Sequence, residues 1–70
     1  MKFKAGDKVK IVRFREENKT FRNDRGKDEI LDLVEVPDCP WLGLYNADGV
    51  YCGLYTNDSN GFNDDDLEKV

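Results

Sequence analysis

Apolar and polar residues alternate in GDKVKIVRF (6–14), where Val9 and Ile11 sit among Lys8, Lys10 and Arg13. A period of two is that of a strand with one buried face. The next stretch, REENKTFRNDRGK (15–27), is polar and mixed in charge. It is long for a hairpin turn and predicts a long polar loop after the first strand. Apolar residues return in EILDLVEV (29–36). Ile30, Asp32 and Val34 fall on one side and Leu31, Leu33 and Glu35 on the other. That imperfect phase fits a strand or a short helix, and Pro37 and Pro40 end it in either case.

WLGLYNADGVYCGLYT (41–56) has the clearest pattern. Two aromatic-rich strands flank Ala47-Asp48-Gly49, and Gly49 suits the positive φ of a tight hairpin. A three-residue loop would set Leu44 opposite Cys52 and Leu42 opposite Leu54, on the core face. Trp41, Tyr45, Tyr51 and Tyr55 would then share the outer face. NDSNG (57–61) reads as a turn. FNDDDLEKV (62–70) offers one short 3-10 turn and a closing strand through Leu67 and Val70. The expectation is one mainly all-β domain over residues 1–70: a small five-stranded SH3-like barrel, whose closure removes exposed sheet edges.

Seventy residues bury only a modest core. Two cysteines, Cys39 and Cys52, do not make a disulfide scaffold, and Cys39 falls outside the paired hairpin. No apolar run is long enough to cross a membrane, and MKFKAGDKVK lacks the apolar stretch of a signal peptide. The expected compartment is the cytoplasm, with no membrane partner. The net charge of -4 hides a split. Residues 1–27 hold ten Lys and Arg against four Asp and Glu, whereas residues 28–70 hold one Lys against eleven acids. The halves either neutralise each other or present opposite faces to partners.

Three segments carry a family resemblance. FKAGDKVKIV resembles the first strand of bacterial and phage KOW/SH3-like domains. GFNDDDLEKV resembles their last turn and acidic closing strand, and WLGLYNADG is similar to their third strand and distal hairpin. The resemblance implies an SH3-like fold and binding of peptides, proteins or nucleic acids, without a catalytic site. It does not extend to the ALYDY-type segment of signalling SH3 domains. The small, highly charged chain with a long polar loop also resembles phage-encoded accessory proteins.

The run Asp64-Asp65-Asp66 invites a metal reading. With Gly61 as the invariant glycine of an EF-hand loop, position one is Thr56 and position twelve Leu67, so the first and last ligands are wrong. A solvated closing strand beside Lys8 and Lys10, with Asp64 or Asp65 capping a short turn, fits better. The alternative is an acidic face for a basic partner. Trp41, Tyr45, Tyr51 and Tyr55 are candidate contact aromatics, unless the loop over 15–27 covers them. Arg13, Arg15, Lys19, Arg22, Arg25 and Lys27, interleaved with Phe14 and Phe21, form a candidate nucleic-acid patch. Glu16, Glu17, Asp24 and the acidic half oppose it.

There is no histidine, nucleophile motif or glycine-rich phosphate loop, so no enzyme activity, cofactor or small-molecule substrate is expected. The expected function is a non-enzymatic protein-interaction module. In a narrower form it is a phage-type accessory protein or inhibitor docking through Trp41, Tyr45, Tyr51, Tyr55, Asp64, Asp65 and Asp66. The alternatives are a nucleic-acid-binding module using residues 13–27 and a structural subunit of a larger assembly.

Overall fold

The computed structural model describes residues 2–17 and 22–70. Five strands form among these residues: β1 (Lys8–Ile11), β2 (Leu31–Glu35), β3 (Leu42–Tyr45), β4 (Tyr51–Tyr55) and β5 (Leu67–Lys69). They make one antiparallel sheet in the order β4-β3-β2-β1-β5. The first and last strands are therefore neighbours. Single 3-10 turns lie at Asp24–Gly26 and Asp64–Asp66. The segment after Asp28 is a strand and not a helix. Paired on both sides, β2 turns Leu31 and Leu33 inward, as a period of two requires and a helix would not.

One face of the sheet makes the core. Val9, Ile11, Leu31, Leu33, Leu42, Leu44, Cys52, Tyr55 and Leu67 are buried there, together with Phe3 and Phe62 from outside the strands. Each fully buried Leu or Val contributes roughly 1.5–3 kcal/mol relative to its exposed state. Phe14 packs half-buried at the margin, edge to face with Phe62 at 6.1 Å.

The hairpin has the predicted Ala47-Asp48-Gly49 loop. Asn46 N–H donates to the Val50 carbonyl at 3.1 Å, and Gly49 has φ 79°. The Asn46 side-chain oxygen accepts from the N–H groups of Asp48 and Val50 and fixes the turn. Beyond it the expected register fails. Tyr45 pairs with Tyr51, but Leu44 pairs with Gly53, Gly43 with Leu54, and Leu42 with Tyr55. Cys52 is thus the extra residue of a β-bulge, and Gly53 takes φ 152°, which L side chains rarely adopt. The bulge inverts the phase of β4. Tyr55 enters the core instead of the outer face, and Leu54 is turned half outward.

Within the described residues β4 and β5 do not pair with each other, so the sheet is not a closed barrel. Connecting segments cover the free edge of β4. Asn23 N–H donates to the Cys52 carbonyl at 3.0 Å, and Arg22 bridges Gly53. At the far end Phe62 bridges Tyr55 in parallel, and its N–H donates to the Leu54 carbonyl at 2.9 Å. Both cysteines are free thiols. Among the described residues no helix is long and apolar enough to cross a membrane.

Candidate interaction surface

The closing acidic segment is held inward. Asn63, not Asp64 or Asp65, caps the 3-10 turn, and Asp66 completes a capping box with it: its carboxylate accepts from Asn63 N–H at 2.9 Å. Asp66 is fully buried. Its carboxylate also receives Arg13 Nε at 2.8 Å, Arg15 Nε at 3.0 and 3.1 Å, and Arg15 Nη2 at 2.9 Å. Burial alone would push this carboxyl up. The hydrogen bonds from Arg15, Asn63 and Arg13 outweigh that and hold it below the ordinary range. Arg15 continues to the carbonyls of Gly61 at 2.5 Å and Ser59 at 3.3 Å, so one guanidinium ties the 57–61 turn to the chain after β1.

Asp64 is also engaged. It accepts a short hydrogen bond from the Tyr55 hydroxyl and another from Lys2 N–H at 3.1 Å. The Tyr55 donor holds the Asp64 carboxyl low. Burial, and then the same bond, push the Tyr55 phenol up. The Tyr55 oxygen in turn accepts from Phe3 N–H at 3.2 Å, which docks the N-terminal segment. Of the three aspartates only Asp65 is exposed. The expected acidic face of Asp64, Asp65 and Asp66 is therefore not assembled. Desolvating Asp66 is tolerated because two guanidinium groups reach it. The closing strand does lie beside Lys8 and Lys10: Val70 N–H donates to the Lys8 carbonyl at 2.9 Å and Lys10 lies opposite Glu68, although the Lys8 ammonium pairs with Asp32 on β2 at 2.6 Å.

The arginines of the basic segment face carboxylates too. Arg13 and Arg15 hold Asp66. Arg22 lies 3.4 Å from Asp24, donates to the Arg15 carbonyl at 2.8 Å, and stacks over Phe14 at 4.9 Å. Arg25 pairs with Asp48 at 3.2 Å across an exposed gap. Lys27 is exposed. Lys19 and Phe21 lie outside the described residues. The structure thus brings Arg13, Arg15 and Arg22 together around internal acceptors rather than as an open cationic patch.

Apolar groups are exposed on the outer face of β2, β3 and β4. Two cross-strand rows define it: Asp32–Tyr45–Tyr51 and Val34–Gly43–Leu54. Trp41 precedes β3 in the phase of Gly43 and Tyr45. Val34 is 42% exposed, Tyr51 38% and Trp41 36%. Tyr45 and Tyr51 meet edge to face at 5.8 Å, and burial, followed by Tyr45, raises the Tyr51 phenol. A Cβ on Gly43 would lie 2.7 Å from the Tyr45 ring, so the bare glycine lets that ring lie flat across β3. Three of the four predicted aromatics thus share this surface, and Tyr55 does not. Val34 and Leu54 join it. The alternation of 29–36 already carried the Val34 signal, whereas Leu54 needs the bulge.

The Cys52 thiol is buried, and desolvation, followed by Glu29, raises it away from the reactive thiolate. Among the described residues no group of three or more His, Cys, Asp or Glu side chains gathers as a metal site. Comparison with protein-family models, with curated proteins and with solved structures gives no match.

Proposed function

We propose that this chain is a non-enzymatic protein-interaction module that docks on a larger protein through the outer face of β2–β4. The observation that carries the reading is Trp41, Tyr45, Tyr51, Val34 and Leu54 side by side on a solvent-facing sheet surface. Contiguous apolar surface of this kind on a small domain marks an interaction site, and Trp and Tyr are enriched among contact residues that dominate affinity. The SH3-like barrel reading is supported by five short strands, by β1 lying beside β5, and by the 3-10 turn that feeds β5. In its narrower form the module is a small accessory protein or inhibitor, of the kind phages encode, occupying a surface of a host protein.

The test is capture by tagged protein from native lysate, with and without nuclease, using the wild type, a Trp41→Ala/Tyr51→Ala variant and Asp65→Asn. A discrete companion retained by the wild type and Asp65→Asn but lost by the aromatic variant, with unchanged circular dichroism, is the expected result. Equal capture by all three proteins removes the aromatic face from the reading. Capture that is present without nuclease and lost with it would favour the alternative, nucleic-acid binding by the arginine-rich segment.

A further inference from the structure

Resting on the docking reading above, we infer that the partner presents Lys or Arg side chains around an apolar centre, and that a cleft at the β2–β3 turn receives one of them. The cleft is lined by residues 35–42 and opens to solvent. Its frame is stiff. Pro37 and Pro40 fix two φ angles, Cys39 N–H donates to the Val36 carbonyl at 3.1 Å, and Asp38 sits at φ 59°. Trp41 lines the cleft and belongs to the aromatic face, so the cleft continues that face. Glu35 and Asp38 are exposed on its lining.

An indole with two carboxylates nearby is a receptor for a cation on an aliphatic stem. The ring attracts ammonium or guanidinium through its quadrupole, the apolar walls take the methylenes, and the carboxylates supply opposite charge. The rest of the surface agrees in sign. Between Lys27 and Lys69 the chain has no basic residue, so β2, β3, β4 and the turns that join them carry Asp32, Glu35, Asp38 and Asp48 without a Lys or Arg of their own. The cations that do reach these acids come from the N-terminal half: Lys8 to Asp32 and Arg25 to Asp48. Glu35 and Asp38 line the cleft that Trp41 also lines, and neither has an ion-pair partner among the described residues. An acidic peptide or a nucleic-acid phosphate would meet like charge there, whereas a basic protein surface is complementary.

The test titrates isotope-labelled protein with a short synthetic peptide alternating leucine and arginine, and with its counterpart carrying glutamate for every arginine. Salt is held at about 0.15 M to screen distant charge. The expected result is shifts confined to the Trp41 indole, residues 35–42 and the outer face, given by the arginine peptide alone. Glu35→Gln/Asp38→Asn should weaken binding about fivefold, and Asp65→Asn, outside the cleft, should leave it unchanged. Asparagine tolerates the left-handed backbone at position 38, so the double variant keeps the turn. Equal binding of both peptides on the face overturns the basic class while the docking reading stands. Shifts spread over Asp58, Asp65 and Glu68, with Asp65→Asn weakening binding as much as the double variant, overturn the cleft in favour of bulk charge. No binding of the arginine peptide overturns the inference outright, and the lysate capture above judges the docking face separately.

Discussion

The closing turn and the outer face of the hairpin exchange the roles that their compositions suggest. Asp64 to Asp66 is the sequence's one run of three acidic residues, yet its last carboxylate is sealed from solvent. Trp41 to Tyr51 is rich in aromatic residues, yet Trp41 and Tyr51 stand partly in water. The difference lies in what each side chain finds on folding. Asp66 finds two guanidinium groups and a backbone N–H, which together replace its water. On the outer face of β2–β4 the Tyr45 ring lies over Gly43, while Val34, Trp41 and Tyr51 stay partly exposed. Polarity along the chain therefore locates strands better than it locates surface.

The sharpest way to break this contrast is Asp66→Ala, which strands Arg15 and Arg13 and removes a turn cap. Breaking a buried pair from one side costs about 3–5 kcal/mol. A domain of this size holds few such units, so the variant should be largely unfolded or shift its urea midpoint severely. Asp65→Ala, one residue away and exposed, should stay within about 0.5 kcal/mol of the wild type. Equal effects at the two positions would sink the claim that the acidic run is internal architecture.

Arg15 and Arg13 grade the same clasp. Arg15 is 17% exposed in its side chain and Arg13 51%, although both reach Asp66. Arg15→Ala also frees the carbonyls of Gly61 and Ser59, and should cost about 2 kcal/mol. The solvent-screened Arg13→Ala should cost no more than about 1 kcal/mol. Denaturant melts of the two single variants check the order.

The first strand was legible in the sequence, because alternation around Val9 and Ile11 makes an inward row, whereas the imperfect phase around Leu31 and Leu33 left strand and short helix both open, and pairing on both sides decides for the strand. The Ala47-Asp48-Gly49 loop was legible from Gly49, which suits the positive φ of a tight hairpin. The bulge was harder to see. Only Gly53 inside a strand pattern signals it, and missing it put Tyr55 on the wrong face and Leu54 in the core. Asp66 was harder still, since its partners lie about fifty residues away in sequence. The one local clue is the capping-box spacing from Asn63 to Asp66. The candidate site was thus half legible: Trp41, Tyr45 and Tyr51 could be read from period two, and the inward turn of Asp64 and Asp66 could not.

Acid should expose the clasp without mutation. The folded-state carboxyls of Asp66, Asp64 and Asp58 are all held below their ordinary value. A carboxyl depressed by folding contributes stability that is fully present above its unfolded value, about 3.9. That contribution is lost as pH falls through the lower folded value. Urea midpoints should therefore hold near pH 6 and drop as pH is taken from about 4 toward 2. An Asp66→Asn variant, if still folded, should lose the steepest part of that drop. A midpoint insensitive to pH in this window would contradict the depressed carboxyls.

The smallest stability effect belongs to the outer face, and its smallness is the point. Val34→Thr keeps the β-branched shape on a strand position that is 42% exposed, replacing one methyl by a hydroxyl. Water already solvates that position in the free protein, so the midpoint should move by less than about 0.5 kcal/mol equivalent. Capture of a partner should nevertheless weaken, because the hydroxyl would lose its water on docking against an apolar surface. The opposite outcome, a large loss of stability with capture unchanged, would mean that Val34, Gly43 and Leu54 pack beneath other parts of the chain. The outer face would then be a second core, and the contrast between the two regions would collapse.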